Sequence, residues 1–457
     1  MSFQKNHLIN CGERNTGTGN YLQLVIVYTN TITPRLQYIL DFIGNEITGE
    51  RLKITTDIKI FGQYQGAKIN YSHKKITDSE FRIKNSELLF ETGVKVQPID
   101  CFEINNYKAF FKAEGDFPFD IFAASFYLMS RYEEYLPSQK DMYGRYAHEN
   151  CLAFKENFLC LPLINIWLQN FKKTLLTKFP QLVTHNSSFT FIPTYDIDEA
   201  YSYKHKQWWR TVGGFTKSIV NGEWSMVRDR INVLLGRKRD PYDAFEWMDQ
   251  LNEKYDLKPY YFFLVASRTA KYDKNILVSK KQMQKLIQQH SNHYSIGIHP
   301  SWQSGDDAQK LKFEILKLGH ISGKQILCSR QHYLRFALPN TYRQLIDLGI
   351  ESDFSMGYGS INGFRASVAT SFYWYDLEKE EQTKLLLYPF CYMEANSFYE
   401  QKFSPQRASE ELQYYYNIVK GVDGMLVTIW HNNFLGSGKL FIGWKEVYQQ
   451  FISLIKS

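Results

Sequence analysis

Between residues 189 and 198 the chain sets apolar residues (Phe189, Phe191, Ile192, Tyr195) among Thr190, Pro193 and Thr194, and then ends on two acids, Asp196 and Asp198. A β-strand points residues two apart to the same face, so both carboxylates leave the strand end on one side. Acids held side by side repel unless a metal, a proton or water relieves them. The pair therefore invites a chemical reading, with a solvated turn or helix cap as the plain alternative.

Beyond this point strand-like runs alternate with segments of helical period, as parallel βα architectures require. Strands are predicted at 189–195, 259–265, 294–299, 326–333, 350–354, 385–388 and 425–430, and helices at 242–254, 280–289, 306–318 and 341–348. The earlier part of the chain reads differently. Strand-like runs at 22–28, 58–61 and 88–90 give way to an amphipathic helix at 120–135, in which Ile121, Phe122, Ala124, Ser125, Leu128, Met129 and Tyr132 recur at three- and four-residue spacing. A second helix at 162–178 leads into Phe179-Pro180 and a polar stretch at 184–188, a boundary signal. An α+β domain over 1–187 and an α/β domain over 188–457 are expected, which agrees with a length of 457 residues, too long for one ordinary core.

Composition narrows the class only a little. Apolar residues at 44% and charged residues at 22% are those of a folded globular chain. A net charge of +7 spread over this length gives no reason to expect nucleic acid as a partner. Six cysteines without Cys-x-x-Cys spacing fit a reducing compartment. The first residues lack the basic, apolar and small-residue order of a secretion signal, and the cytoplasm is the expected location.

Parallel βα folds gather functional groups at the C-terminal ends of their strands, so those ends are read together. One carries Asp196 and Asp198, another His299, another Gln331-His332-Tyr333-Leu334-Arg335, and the last His431. A single histidine is most often structural. Three at successive strand ends beside a carboxylate pair instead suggest a divalent metal, with open positions for a water activated towards hydrolysis.

This order resembles the NodB-homology polysaccharide deacetylases, carbohydrate esterase family 4, over residues 189–435. Thr194-Tyr195-Asp196-Ile197-Asp198 is similar to the first motif of the family, His299-Pro300-Ser301-Trp302-Gln303 to the second, Arg335-Phe336-Ala337-Leu338-Pro339 to the third, with Gly363-Phe364-Arg365-Ala366 as its rival, and Ile429-Trp430-His431 to the fifth. The resemblance implies a distorted (β/α) barrel and a metal-dependent, zinc-type hydrolase that removes acyl groups, N-acetyl above all, from a glycan or amino sugar. It implies Asp196 as general base, His431 as general acid and Arg335 as the catalytic arginine. Asp198 and His299 would hold the metal. The chain departs from the family at Gln303, which stands where a second metal-binding histidine is usual; an amide oxygen is a weaker ligand for such ions, and His332 is the imidazole placed to substitute. The fourth motif has no match, and Asp353 and Asp376 are candidates to orient His431.

Two other classes compete with this reading. An Asp-x-Asp glycosyltransferase would use the acids to hold a metal against a sugar nucleotide, and a non-catalytic glycan-binding protein would keep the scaffold without the chemistry. An insertion at 204–239 stands apart, with Trp208, Trp209, Trp224 and nine Lys/Arg against two acids. Such a mix suits either a helical pair packed on the domain or contact with an anionic membrane.

Overall fold

The structure, a computed structural model, describes residues 25–456. Near the N-terminus four short parallel strands run in the order Lys53–Thr55, Ile26–Tyr28, Lys68–Tyr71 and Phe81–Ile83. The predicted strand at 22–28 begins within the described residues only at Ile26, and Leu22 to Leu24 lie outside them. Helix Pro34–Thr48 makes the first crossover, with Thr33 accepting from the Leu36 amide, Pro34 in the first turn and Gly49 closing the end in a left-handed conformation. The second crossover corrects the reading of 58–61 as a strand. It is a helix, Ile58–Gln63, because the Asp57 carboxylate caps the amides of Lys59 and Ile60, leaving Ile58 and Ile60 in solvent and burying Phe61. Leu88 and Leu89 likewise belong to a 3₁₀ turn, Glu87–Leu89, with Phe90 just after it, and not to a strand.

Nine strands form one larger sheet curled into a half-barrel. Their order is Phe372–Asp376, Glu381–Leu387, Ser352–Asp353, Cys328–Ser329, Ser295–His299, Tyr260–Leu264, Thr190–Ile197, Met425–His431 and Tyr392–Met393. Every pairing is parallel except that of the first two. The two edge strands are not hydrogen-bonded to each other. All the predicted strands of this half fall within the sheet, but 326–333 contributes only Cys328–Ser329, and Phe372–Asp376 and Tyr392–Met393 were not foreseen. Gly297 sits mid-sheet because a Cβ there would lie 2.5 Å from the Phe262 ring and 2.8 Å from the Cys328 carbonyl oxygen.

The register of the central strands aims the chemistry. His431 lies opposite Asp196 and His299 opposite Leu264, so the ends that carry acids and imidazoles lie together along one rim. The buried apolar cluster is continuous from Val25 to Ile452, running across residue 187. Tyr38 and Phe126 pack on Tyr375 with ring centroids 5.0 and 5.1 Å apart, and the Tyr38 hydroxyl donates to the Tyr373 carbonyl. No helix among the described residues is long and apolar enough to cross a membrane.

Candidate active site

At the C-terminal rim a cleft of about 620 Å³ opens over Asp196, Asp198, His299, His332 and His431. Strand alternation carries the two acids there on the same face, yet they meet different neighbours. Asp196 is buried and accepts a hydrogen bond from Arg330 Nη1 at 2.9 Å, the same nitrogen reaching Thr194 Oγ1 at 2.6 Å. Asp198 is half-buried and faces imidazoles, with His299 Nε2 3.0 Å from its Oδ1 and His332 Nε2 3.6 Å from its Oδ2.

The imidazole protons follow from the far side of each ring. His299 Nδ1 lies 2.6 Å from the Arg330 carbonyl oxygen, and His332 Nδ1 lies 3.2 Å from Asp273 Oδ1. Each Nδ1 therefore carries a hydrogen and donates it, which leaves each Nε2 facing Asp198. A carboxylate oxygen and two imidazole nitrogens thus lie within 4.8 Å of one another, and among the described residues Asp198 Oδ1 has no hydrogen-bond partner. Such a set requires a cation or extra protons between its members. Without a cation, burial works to lower the His332 imidazole, but Asp198 and Asp273 outweigh it and lift it to about 9. Burial would raise the Asp198 carboxyl, but His332 and His299 hold it well below the usual carboxylate range.

On the other side of Asp198, His431 Nε2 lies 3.6 Å from Asp198 Oδ2. Its Nδ1 is held 2.7 Å from Glu394 Oε1, and the same oxygen accepts from the His431 amide at 2.6 Å. Burial would lower this imidazole, yet Glu394 above all, then Asp198 and Asp196, push it up to about 10. Burial in turn raises Glu394, and the adjacent His431 draws it back.

Several expected residues stand elsewhere. Arg335 turns away, donating to Asp306 and to the Trp302 carbonyl, with its guanidinium over the Trp302 ring; the arginine beside the carboxylate pair is Arg330. The cause is local: the strand stops at Ser329, and left-handed backbone at Tyr333 and Leu334 (φ 57° and 53°) rotates Arg335 off the rim. Arg365 is buried against Glu134 and does not line the cleft. Gln303 accepts from Arg268 at 2.8 Å and does not face Asp198, so His332 occupies the place beside Asp198 and His299. Neither Asp353 nor Asp376 meets His431: the first is held by Ser329 and Ser355, the second by Arg343.

Sequence reasoning passed over Arg330, Glu394 and Asp273. For Arg330 a signal existed, since it precedes His332 by two and shares its face in an extended chain. Glu394 follows a two-residue strand, too short to show any period. The first part of the chain also enters the cleft, through Met142, Tyr143 and Arg145. Tyr143 joins Tyr272, Trp302 and Tyr333 in an aromatic cluster in which Tyr272 and Trp302 stack at 4.1 Å. Arg145 donates to the Tyr333 carbonyl at 2.8 Å.

Residues 25–180 match a family of unknown function, DUF7033. No curated protein matches the chain. Solved structures similar to it include a putative polysaccharide deacetylase from Mycobacterium smegmatis, with 12% identity and TM-score 0.38 over 60% of this chain and 85% of that one. Puue Allantoinase is similar at 14% identity and TM-score 0.38, over 59% and 84% of the two chains. A probable polysaccharide deacetylase from Pseudomonas aeruginosa PAO1 shares 11% identity with TM-score 0.37, over 58% and 84%. These are partial likenesses at low identity.

Proposed function

We infer that the chain is a metal-dependent hydrolase that removes an acyl group, N-acetyl in the first instance, from an amino sugar or glycan. The observation that carries this is the convergence of Asp198, His299 and His332, whose ligand atoms all lie within 4.8 Å of one another, beside a separately held carboxylate and a His–Glu pair. Asp198, His299 and His332 would hold the ion, and one carboxylate with two imidazoles is a donor set suited to zinc. When bound, such an ion polarises a carbonyl and makes a water more acidic.

The remaining residues have roles that follow from their contacts. Asp196, fixed by Arg330, keeps one oxygen free towards the cluster, 3.9 Å from His299 Nε2, and takes the proton of the attacking water. As the water oxygen bonds to the acyl carbon, the C–N bond breaks and the amine leaves with a proton. His431 supplies that proton from Nε2, because its Nδ1 is committed to Glu394. Tyr143, Tyr272 and Tyr333 offer flat apolar faces on which a sugar ring can lie. A sugar-nucleotide transferase would leave this histidine arrangement without a use.

Metal analysis of the purified protein, together with acetate release from a panel of N-acetylated sugars, tests the reading. Stoichiometric zinc or a similar ion with metal-dependent acetate release is expected. A chain that takes up no divalent ion at these residues would end the proposal.

A further inference from the structure

The 204–239 insertion folds as a helical hairpin, Trp208–Val220 and Trp224–Leu234, that barely joins the core: Ser218 and Val233 are its only buried residues within those helices. Its large apolar side chains face outward. Trp208 and Val220 are 78% exposed, Trp224 is 66% exposed, and Trp209, Val212 and Leu235 are exposed as well. Soluble surfaces scatter such residues singly, whereas here a short segment gathers ten of the twenty-five exposed large apolar side chains among the described residues.

The exposed face carries basic charge. Lys238 pairs with Asp229, and Arg239 with Asp243 and Glu246, but Lys217, Arg228 and Arg237 are exposed and make no ion pair among the described residues. A neighbouring loop extends the patch. Lys439 reaches Asp229 at 3.5 Å, Ser437 donates to the Pro241 carbonyl at 2.9 Å, and Leu440 and Ile442 beyond them are exposed. Tryptophans beside unpaired cations on amphipathic helices match the bilayer interface, where indoles settle at headgroup depth and Lys or Arg meet anionic phosphates.

The hairpin is also rooted at the cleft. Buried Asp240 accepts from the amides of Ser202, Tyr203, Lys204 and Tyr242, tying the two ends of the excursion together, and Glu199 and Tyr242 at those ends line the cleft. We propose that the 204–239 hairpin, with Leu440 and Ile442, is a docking surface for an anionic lipid bilayer and sets the cleft mouth beside that bilayer. This holds apart from the hydrolytic reading, since binding is measured without turnover.

Flotation of the full chain with vesicles containing phosphatidylglycerol, against pure phosphatidylcholine vesicles, tests the proposal. Binding is expected only to the anionic vesicles and should fall with salt, with each of Lys217→Glu, Arg228→Glu and Arg237→Glu weakening it about fivefold or more. Brominated phosphatidylglycerol should quench the parent's tryptophan fluorescence but not that of Trp208→Ser/Trp209→Ser/Trp224→Ser, whose fold is checked by circular dichroism. Failure of the parent to float on anionic vesicles overturns the proposal, as does quenching that survives the triple substitution. So does self-association of the parent that the triple variant abolishes, which would assign the face to a second copy of the chain.

Discussion

Asp196 and Asp198 differ by one intervening residue and by everything around them. Arg330 fixes the first through charge and a hydrogen bond, while His299 and His332 surround the second. The two acids should therefore separate cleanly on mutation. Asp196→Asn keeps size but cannot accept a proton, so turnover should drop about 10²–10⁴-fold with metal content unchanged by elemental analysis. Loss of the ion in that variant would exchange the roles of the two acids. Glu394 gives a second test. It raises the His431 imidazole towards about 10, so the acid form persists to high pH and activity falls as pH rises through that range. Glu394→Gln removes the negative charge, lowers this imidazole and should move the alkaline limb of the pH–rate profile to lower pH. An unmoved limb would mean that another group protonates the leaving amine. Both acids and all three histidines of the rim were legible at this scale, because side-chain alternation at strand ends is a local property. Glu394 and Asp273 were not, since what marks them is a partner at the end of another segment.

The segment after Ser329 shows how an element shapes the site. A regular strand continued from 326 through Arg335 would place His332 and Arg335 on opposite faces. The chain instead leaves the sheet, and left-handed backbone at Tyr333 and Leu334, costing about 1–3 kcal/mol each, turns His332 inward and Arg335 outward. Arg145, itself held by Asp141 at 2.6 Å, grips this turn through the Tyr333 carbonyl. Arg145→Ala should therefore weaken metal binding about 10–100-fold without touching a ligand, measured by titration against a competing chelator. Unchanged affinity would show that the turn holds its shape without the N-terminal segment. The helix predicted at 120–135 ends early for a similar reason. It spans Ile121–Met129, and Arg131 takes a left-handed conformation (φ 54°) that turns Glu133 and Glu134 into the interior.

That turn ties the molecule together. Arg131 and Arg365 both bond Glu134, and Arg35 pairs with Glu380, so ion pairs link residues 25–187 to the half-barrel. Burial would raise the Glu134 carboxyl, but Arg365 and then Arg131 hold it down at about 2. A depressed folded-state pKa means that this carboxylate stabilises the fold fully above its unfolded value, about 4.5, and that the contribution is lost as pH falls towards 2. Glu134→Gln leaves two buried guanidinium groups short of a partner and should cost about 3–5 kcal/mol at neutral pH. It should also flatten the acid dependence of thermal unfolding between those limits, as followed by circular dichroism. An acid profile that matches the parent would remove Glu134 from this role.

Periodicity was enough to predict seven of the nine strands of the larger sheet, four of the helices between them, and the carboxylate pair and histidines at the rim, because those depend on neighbours a few positions away. Capping explains the exception at Ile58–Gln63, where an alternating pattern too short to tell strand from helix was settled by Asp57. Long-range contact settled the rest. Arg330 meets Asp196 across 134 positions, Glu394 meets His431 across 37, and Arg145 meets Tyr333 across 188. Which arginine meets Asp196 and which carboxylate meets His431 depend on where the sheet brings distant strand ends. No local pattern encodes that, because hydrogen bonds and charge act through space and not along the chain.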